Sequence, residues 1–403
     1  MFDPKEFLSD AKQMKPQLIE WRRSIHRHPE IGLSLPHTAA LVSHALTEIG
    51  LSPQHCGTDG TTGIIALIEG SRPGPTLLLR ADMDALPLTE ENTLSFKSEL
   101  PGAAHMCGHD THTAMLLGAA KLIHARRSEL CGRVKLMFQP GEEGYNGASH
   151  MIQDGLLEAP TVDAAMAMHC LTGSKWKTGT LLCATGLLAK ASADSFKVTV
   201  SGRGAHGATP EHGIDVPHIL AEITSALYTI QSRELSAFTP AVLSVCRLCA
   251  GTADNLLPDS GFLSGTFRTF DLSVQKFIRR RIQEISERIA SAFGAHAEVT
   301  FSGSLPPTVN DASMCPKIAA YTAELVGAKY ADVIGPVTGA EDFSEISCRV
   351  PSVYLDISFG SAEEGYIESV HSPRCTFNED ALPVGAAAYA WCAMRWLSDT
   401  ASL

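Results

Sequence analysis

Thr76-Leu77-Leu78-Leu79-Arg80-Ala81-Asp82-Met83-Asp84-Ala85-Leu86-Pro87 places a nearly unbroken apolar run directly before two carboxylates and a proline. A run that is apolar at successive positions suits a strand covered on both faces, the signature of a sheet inside an α/β domain. Two carboxylates at the exit of such a strand are costly unless a cation meets them. An Asp-rich turn before proline is the plain alternative. The functional alternative has them serving a metal, directly or by holding a ligand histidine in orientation, a role that suits Asp84 better than Asp82.

Outward from this strand the same arrangement recurs. The run Arg133–Phe138 empties into Gln139-Pro140-Gly141-Glu142-Glu143-Gly144, and Asp163–Met168 is a short apolar strand that ends at His169. Open α/β sheets place their sites beyond the carboxyl ends of the strands, and here three exits deliver Asp, Glu and His to one edge. Between the first two strands lies Met106-Cys107-Gly108-His109-Asp110-Thr111-His112, a loop crowded with a thiol and imidazoles ahead of a helix expected over Thr113–His124. Cys107 and His109, two positions apart, can reach one ion from a looped backbone. A closed structural zinc site would need a second short-spaced pair nearby, and none follows. A buried cysteine beside surface histidines is the bland alternative. Adjacent glutamates offer separable jobs, one as metal ligand and one as proton acceptor. A further imidazole stands far along the chain at His371, before a closing helix expected over Asp380–Leu397.

Other histidines look ordinary. The helix expected over Gln17–His28 carries Leu18, Trp21 and Ile25 on one face, which leaves His26 and His28 as surface or cap residues. His112 and His124 fit as plain helix positions. A second helix over Thr38–Ile49 stops at Gly50.

Bulk composition narrows the classes. A length of 403 residues favours two domains and permits a large core. The net charge of -12, without a basic patch, argues against nucleic acid and anionic membranes as partners. Met1–Glu30 is too charged to be a secretory signal, and no apolar run is long enough to span a bilayer. The 11 cysteines are odd in number and lack a framework, so they imply reduced thiols and a cytoplasmic location.

From about Ala191 the grammar changes. Strands over Ser195–Val200, Ala241–Cys246, Phe262–Phe267 and Ala297–Phe301, with helices near Val216–Ser232 and Leu272–Phe293, give β-α-β-β-α-β, the split motif of ferredoxin-like domains. The expected organisation is a catalytic α/β domain in two parts, 1–190 and 305–403, interrupted by a satellite domain over 191–304. Cys246-Arg247-Leu248-Cys249 is not a thiol pair on this reading. An odd separation along a strand sends the two side chains to opposite faces, where they serve as small buried groups.

These segments resemble the metal-dependent N-acyl-amino-acid amidohydrolases, which include hydrolases of hippurate and of indole-acetyl-amino-acid conjugates, within the aminoacylase and carboxypeptidase clan. The resemblance covers essentially the whole chain. It is carried by Arg80-Ala81-Asp82-Met83-Asp84-Ala85-Leu86-Pro87, His105-Met106-Cys107-Gly108-His109-Asp110 and Phe138-Gln139-Pro140-Gly141-Glu142-Glu143. Gly202-Arg203-Gly204-Ala205-His206, Asn255-Leu256-Leu257-Pro258-Asp259, Gly265-Thr266-Phe267-Arg268-Thr269-Phe270, Gly339-Ala340-Glu341-Asp342-Phe343-Ser344 and the His371 segment extend it. It implies a zinc-peptidase-like catalytic domain whose Cys107, His109, Glu143, His169 and His371 hold two divalent ions, with Cys107 as the bridge and Glu142 as general base. Asp82 would stand where related peptidases have a ligand histidine. The satellite domain would make a homodimer through strand or helix pairing.

Within the satellite, the resemblance gives His206 the task of polarising the scissile carbonyl, in its own or the partner subunit. Arg268 is suited to fork onto a substrate carboxylate, or equally to a structural ion pair. Asn255 could donate to the same carboxylate or build a turn. The implied substrate is a small N-acyl amino acid bearing an acetyl, benzoyl or aryl-acetyl group, and the implied metal is zinc, manganese, cobalt or nickel. Tyr145 and Asn146, where family members often carry small residues, would shape the acyl pocket. A dipeptidase or carboxypeptidase of the same clan is the nearest alternative. A cysteine hydrolase built on Cys107 and His109 would leave Glu142, Glu143, His169 and His371 without a task. A binding protein on a disabled scaffold would have no use for Glu142.

Overall fold

The computed structural model describes residues 3–184 and 188–401, which group into two compact units. The first comprises Met1–Ala189, Val309–Gly335 and Glu345–Leu403, and the second comprises Lys190–Thr308 and Pro336–Ser344.

In the first unit, helices α1 (Pro4–Gln13), α2 (Lys15–Arg27) and α3 (Pro36–Ile49) precede strands β1 (Gln54–His55), β2 (Ile64–Glu69) and β3 (Arg72–Asp82). Helix α4 (His109–Ala125) is followed by β4 (Cys131–Gln139), β5 (Ala164–Leu171) and β6 (Leu181–Ala184). With the later strands Ala331–Ile334 and Ser352–Ser358 they build one eight-stranded sheet, in the order β1, β2, β4, β3, β5, Ser352–Ser358, β6, Ala331–Ile334. Its centre is parallel: β3 pairs with β4 and β5, and β5 with Ser352–Ser358. The apolar half of β3 is buried along its whole length, as a strand covered on both faces must be.

Two of the boundary differences bear on the candidate site. Helix α4 starts at His109 rather than Thr113, so His109 and His112 share its first turn and not a loop. Strand β5 continues through His169 to Leu171, so that imidazole projects from within the strand. Helix α4 is buried on nearly every side, because α2 and the closing helix Leu382–Ala401 both lie against it. The approach is close at Gly118, where a Cβ would stand 2.6 Å from Leu18 Cδ2 and 2.9 Å from the Ala386 Cβ.

The second unit holds a four-stranded antiparallel sheet in the order Ala241–Ala250, Ser260–Thr269, Ala193–Ser201, His296–Leu305. Helices Val216–Thr229 and Leu272–Ala292 bury Ile219, Ile223, Leu227, Ile278 and Ile282 against Val198, Leu263 and Phe267. This is the β-α-β-β-α-β arrangement expected from the sequence. Cys246 and Cys249 depart from expectation, since both are exposed. The register shifts between Val245 and Arg247, a bulge at Cys246 on a strand that forms the edge of the sheet, where a small side chain is not covered.

Candidate metal centre

Two of the candidate ligands, Cys107 and His109, come from one loop and the helix behind it. Gly108 separates Cys107 from His109 and caps α4 in the left-handed region, φ 83°. A Cβ there would lie 2.3 Å from Cys170 Sγ, so only glycine lets the loop press against β5. His109 donates its Nδ1 proton to the Asp84 carbonyl at 2.8 Å, which turns the lone pair of Nε2 the other way. That nitrogen is buried and, among the described residues, has no hydrogen-bond partner.

Asp84 has a second task. Its Oδ1 accepts the Glu142 amide and its Oδ2 the Glu143 amide, each at 3.0 Å. One carboxylate thus fixes the turn that presents both glutamates, while the same residue's carbonyl selects the tautomer of His109.

Cys107 is where the other donors meet. The His169 Nδ1 proton goes to the Cys170 carbonyl at 2.7 Å, leaving Nε2 3.4 Å from Cys107 Sγ. His371, held in the left-handed region at φ 69°, donates its amide to the Met106 carbonyl at 2.8 Å. Its Nε2 lies 3.2 Å from Cys107 Sγ and 3.3 Å from Glu143 Oε1. Among the described residues the potential ligand atoms fall into overlapping groups whose members lie within 4.8 Å of one another; Cys107-His109-His169, Cys107-Glu143-His371 and His109-Glu142-Glu143 face the glutamate turn, while Asp82-His109-His112 and His112-His169-Cys170 lie deeper. Cys107 belongs to two of them. Burial pushes the Cys107 thiol well above its ordinary range, with Glu143 and Glu142 adding to the effect against His109. A thiol, three imidazole nitrogens and a carboxylate gathered here form a donor set whose softness and number suit divalent transition metals.

Beneath the centre runs a buried polar layer that the sequence reading missed. Asp82 is fully buried; its Oδ2 accepts from Arg80 Nη1 at 2.6 Å and its Oδ1 from His112 Nδ1 at 2.5 Å. Burial would raise its pKa, but Arg80, then His109 and His112, hold it well below the carboxylate range. His112 Nε2 accepts the Cys170 amide at 2.8 Å. His112 is therefore a structural hinge-pin between β3, α4 and β5 and not a plain helix residue.

A second layer anchors the start of α4. Asp110 Oδ2 accepts from Arg22 Nε at 3.0 Å and from His26 Nδ1 at 2.8 Å, while Arg22 Nη1 reaches Glu379 at 3.0 Å. His26 is buried, contrary to the surface or cap position expected of it. The spacing held a signal: Arg22 and His26 stand four and eight positions from Leu18, inside the apolar stripe of α2.

The remaining candidates lie in the second unit, taken by itself. Ala205–His206 pairs antiparallel with Leu256–Leu257, with His206 opposite Leu256, and the Gly207 amide donates to the Asn255 carbonyl at 2.8 Å. His206 and Asn255 are thus brought onto one small ribbon. His206 is exposed, and its Nδ1 accepts the Ala208 amide at 3.1 Å, which leaves Nε2 outward. Arg268 sits apart on Ser260–Thr269, where Nη1 donates to Thr266 Oγ1 at 2.7 Å and to the Phe267 carbonyl at 3.0 Å. The first unit brings together Cys107, His109, Glu142, Glu143, His169, His371 and Asp84.

Comparison with known proteins agrees with this chemistry. The chain is 34% identical over 391 residues to thermostable carboxypeptidase 1 of Saccharolobus solfataricus, covering 96% of this chain and 97% of that one. It is 34% identical over 400 residues to an IAA-amino acid hydrolase of Arabidopsis thaliana (96% and 88%), and 36% over 373 residues to an N-acetyl-L-cysteine deacetylase of Bacillus subtilis (92% and 85%). A crystal structure of a dinuclear metal-binding peptidase from Bacillus subtilis superposes with a TM-score of 0.82 at 31% identity, over 96% of this chain and 99% of that chain. Residues 78–395 match the sequence profile of Peptidase family M20/M25/M40, and the chain belongs to that family.

Proposed function

We propose that this protein hydrolyses the amide bond of N-acyl amino acids, releasing a carboxylic acid and a free amino acid, at two divalent ions held by Cys107, His109, Glu143, His169 and His371. The observation that carries the reading is Cys107 Sγ within 3.4 Å and 3.2 Å of two imidazole nitrogens, beside a glutamate pair held by Asp84. When bound, the two ions supply a Lewis acid for the carbonyl and acidify water. Glu142 takes the proton of the attacking water on its carboxylate and returns it to the departing amine. Its Oε2 lies 3.9 Å from His109 Nε2, beside the ligand atoms and accessible at 11% of its side chain. Asp84 is a positioning residue, acting through His109 and the glutamate turn.

His206, with Nε2 outward, donates to the carbonyl oxygen as negative charge develops there. Arg268 and Asn255 receive the carboxylate of the amino acid. Tyr145, whose ring packs over Gly32, and Asn146 border the acyl group. Thiolate and imidazole favour zinc, cobalt or nickel, and the carboxylate admits manganese. A homodimer through the second unit fits its edge strand Ala241–Ala250, on which Val242 and Leu248 are exposed. Eleven free cysteines fit the cytoplasm. Among the described residues no helix is long and apolar enough to cross a membrane.

A carboxypeptidase or dipeptidase activity is the second reading, favoured by the 34% identity to a carboxypeptidase. Assaying acetyl-, benzoyl- and indole-acetyl-amino acids beside simple dipeptides, on metal-free protein reloaded with each metal in turn, separates the two. Preferential turnover of acyl amino acids supports the first reading, and preferential turnover of dipeptides replaces it with the second.

A further inference from the structure

Outside the metal centre, Cys183 and Cys315 are buried in the first unit with their sulfur atoms 3.0 Å apart. Cys183 lies on β6, opposite Leu355 of the antiparallel strand Ser352–Ser358. Cys315 is the second residue of helix Met314–Val326, whose first amides favour a negatively charged sulfur. The Asn310 amide nitrogen stands 3.9 Å from Cys315 Sγ. The two cysteines are 132 positions apart, and the chain between them contains the whole Lys190–Thr308 segment of the second unit. They therefore face each other where the chain leaves the first unit and where it returns.

We propose that Cys183 and Cys315 form a dithiol that a peroxide oxidises to a disulfide across the base of the insertion. Cys315 is the attacking thiolate: the hydrogen bond from Cys183 lowers its pKa to about 7, while the same contact pushes Cys183 up. Its sulfur breaks the O–O bond of hydrogen peroxide, forming a sulfenic acid and, with the proton lost by the thiol, one water. The Cys183 sulfur then attacks Cys315 Sγ; the S–S bond forms, the S–O bond breaks, and a second water leaves with the Cys183 proton. Two thiols are oxidised and one peroxide is reduced to two waters. A small dithiol reverses the reaction by exchange.

The test is a peptide mass map of the metal-loaded full chain after graded hydrogen peroxide, taken without reductant. The map reads sulfur chemistry and not turnover, so it stands apart from the amidohydrolase reading and from any oxidation of Cys107. A linked Cys183–Cys315 peptide should appear at doses no higher than those that oxidise the exposed Cys246, Cys249 and Cys348, and should vanish on adding dithiothreitol. The oxidised chain should unfold at a higher temperature than the reduced one, because the bond closes a long loop. In Cys183→Ser, dimedone should capture Cys315 as a sulfenic acid with no linked peptide. Should the exposed cysteines oxidise while Cys183 and Cys315 stay as thiols, or should these two reach sulfinic acid unlinked, the proposal fails. The unsubstituted chain decides the matter even if the variant does not fold.

Discussion

His112 donates its Nδ1 proton to Asp82 across 2.5 Å, and that bond fixes its Nε2 as the acceptor of the Cys170 amide. The Cys170 carbonyl in turn takes the Nδ1 proton of His169. A line of hydrogen bonds therefore runs from the end of β3, through α4, to the imidazole that faces Cys107. His112→Ala breaks it at the middle and leaves Asp82 short of one partner. We expect a loss of stability of roughly 1–3 kcal/mol and a metal affinity lower by about 10- to 100-fold. Chemical unfolding and competition with a chelator measure the two separately. Unchanged metal affinity would show that His112 has no part in placing His169.

Asp84→Asn keeps the size of the side chain but replaces one carboxylate oxygen with a donor facing a backbone amide. Either Glu142 or Glu143 then loses its anchor. The expected outcome is a fall in metal affinity of about 10- to 100-fold with little change in overall fold, read by metal titration and circular dichroism.

Glu142→Gln should separate chemistry from binding. The site keeps its five ligands, so metal content stays at the level of the unsubstituted chain, while kcat falls by about 100- to 10,000-fold. Full turnover by this variant would remove Glu142 from the role of base.

Stability should respond to pH through the layer that anchors α4. Burial disfavours charge on His26, yet the Asp110 carboxylate and hydrogen bonds to Asp110 and Glu90 raise its pKa above the ordinary value. Burial would raise Glu90, but bonds from His26, the Ser98 amide and Asn92 lower it. The raised imidazole gives stability that is complete below its unfolded value and lost as pH rises through the folded one. The lowered carboxylate gives stability present above its unfolded value and lost as pH falls through the folded one. The pair is therefore most stabilising between about pH 4.3 and 6.5. Denaturant midpoints of the protein and Glu90→Gln should differ most in that window, less above it, where only the Ser98 amide and Asn92 still hold the carboxylate, and least below it. A difference independent of pH contradicts the assignment.

The second unit should answer to its own local chemistry. Asp271 caps Leu272–Ala292 by accepting the Ser273 amide at 2.7 Å and the Val274 amide at 3.1 Å. Asp271→Ala should lower stability by about 1 kcal/mol without altering metal content, which thermal unfolding and metal analysis check together.

What was legible in the chain follows from how local each signal is. The continuous apolar run of β3 declares a strand buried on both faces because burial acts on every one of its positions. The left-handed Gly50 that ends α3, φ 96°, is equally local. His26 and His112 were illegible as core residues because their carboxylate partners lie 84 and 30 positions away, so that nothing nearby in sequence offsets the cost of burying an imidazole. The bulge at Cys246 is set by the facing strand and has no mark in the residues around it. The candidate site stood out because Asp, Glu and His residues lay at expected strand exits beside Cys107 and His109, and the family resemblance added His371, whereas the tautomers of His109 and His169 depend on backbone carbonyls that only the fold supplies.

On the proposed reading Cys107 joins two ions, its sulfur lying both with His109 and His169 and with Glu143 and His371. Metal content per chain, measured on the protein and on Cys107→Ser after loading with the same divalent metal, tests it most directly. Two ions per chain are expected in the first and fewer in the second, with activity falling alongside. Two ions retained at full activity in Cys107→Ser would contradict it.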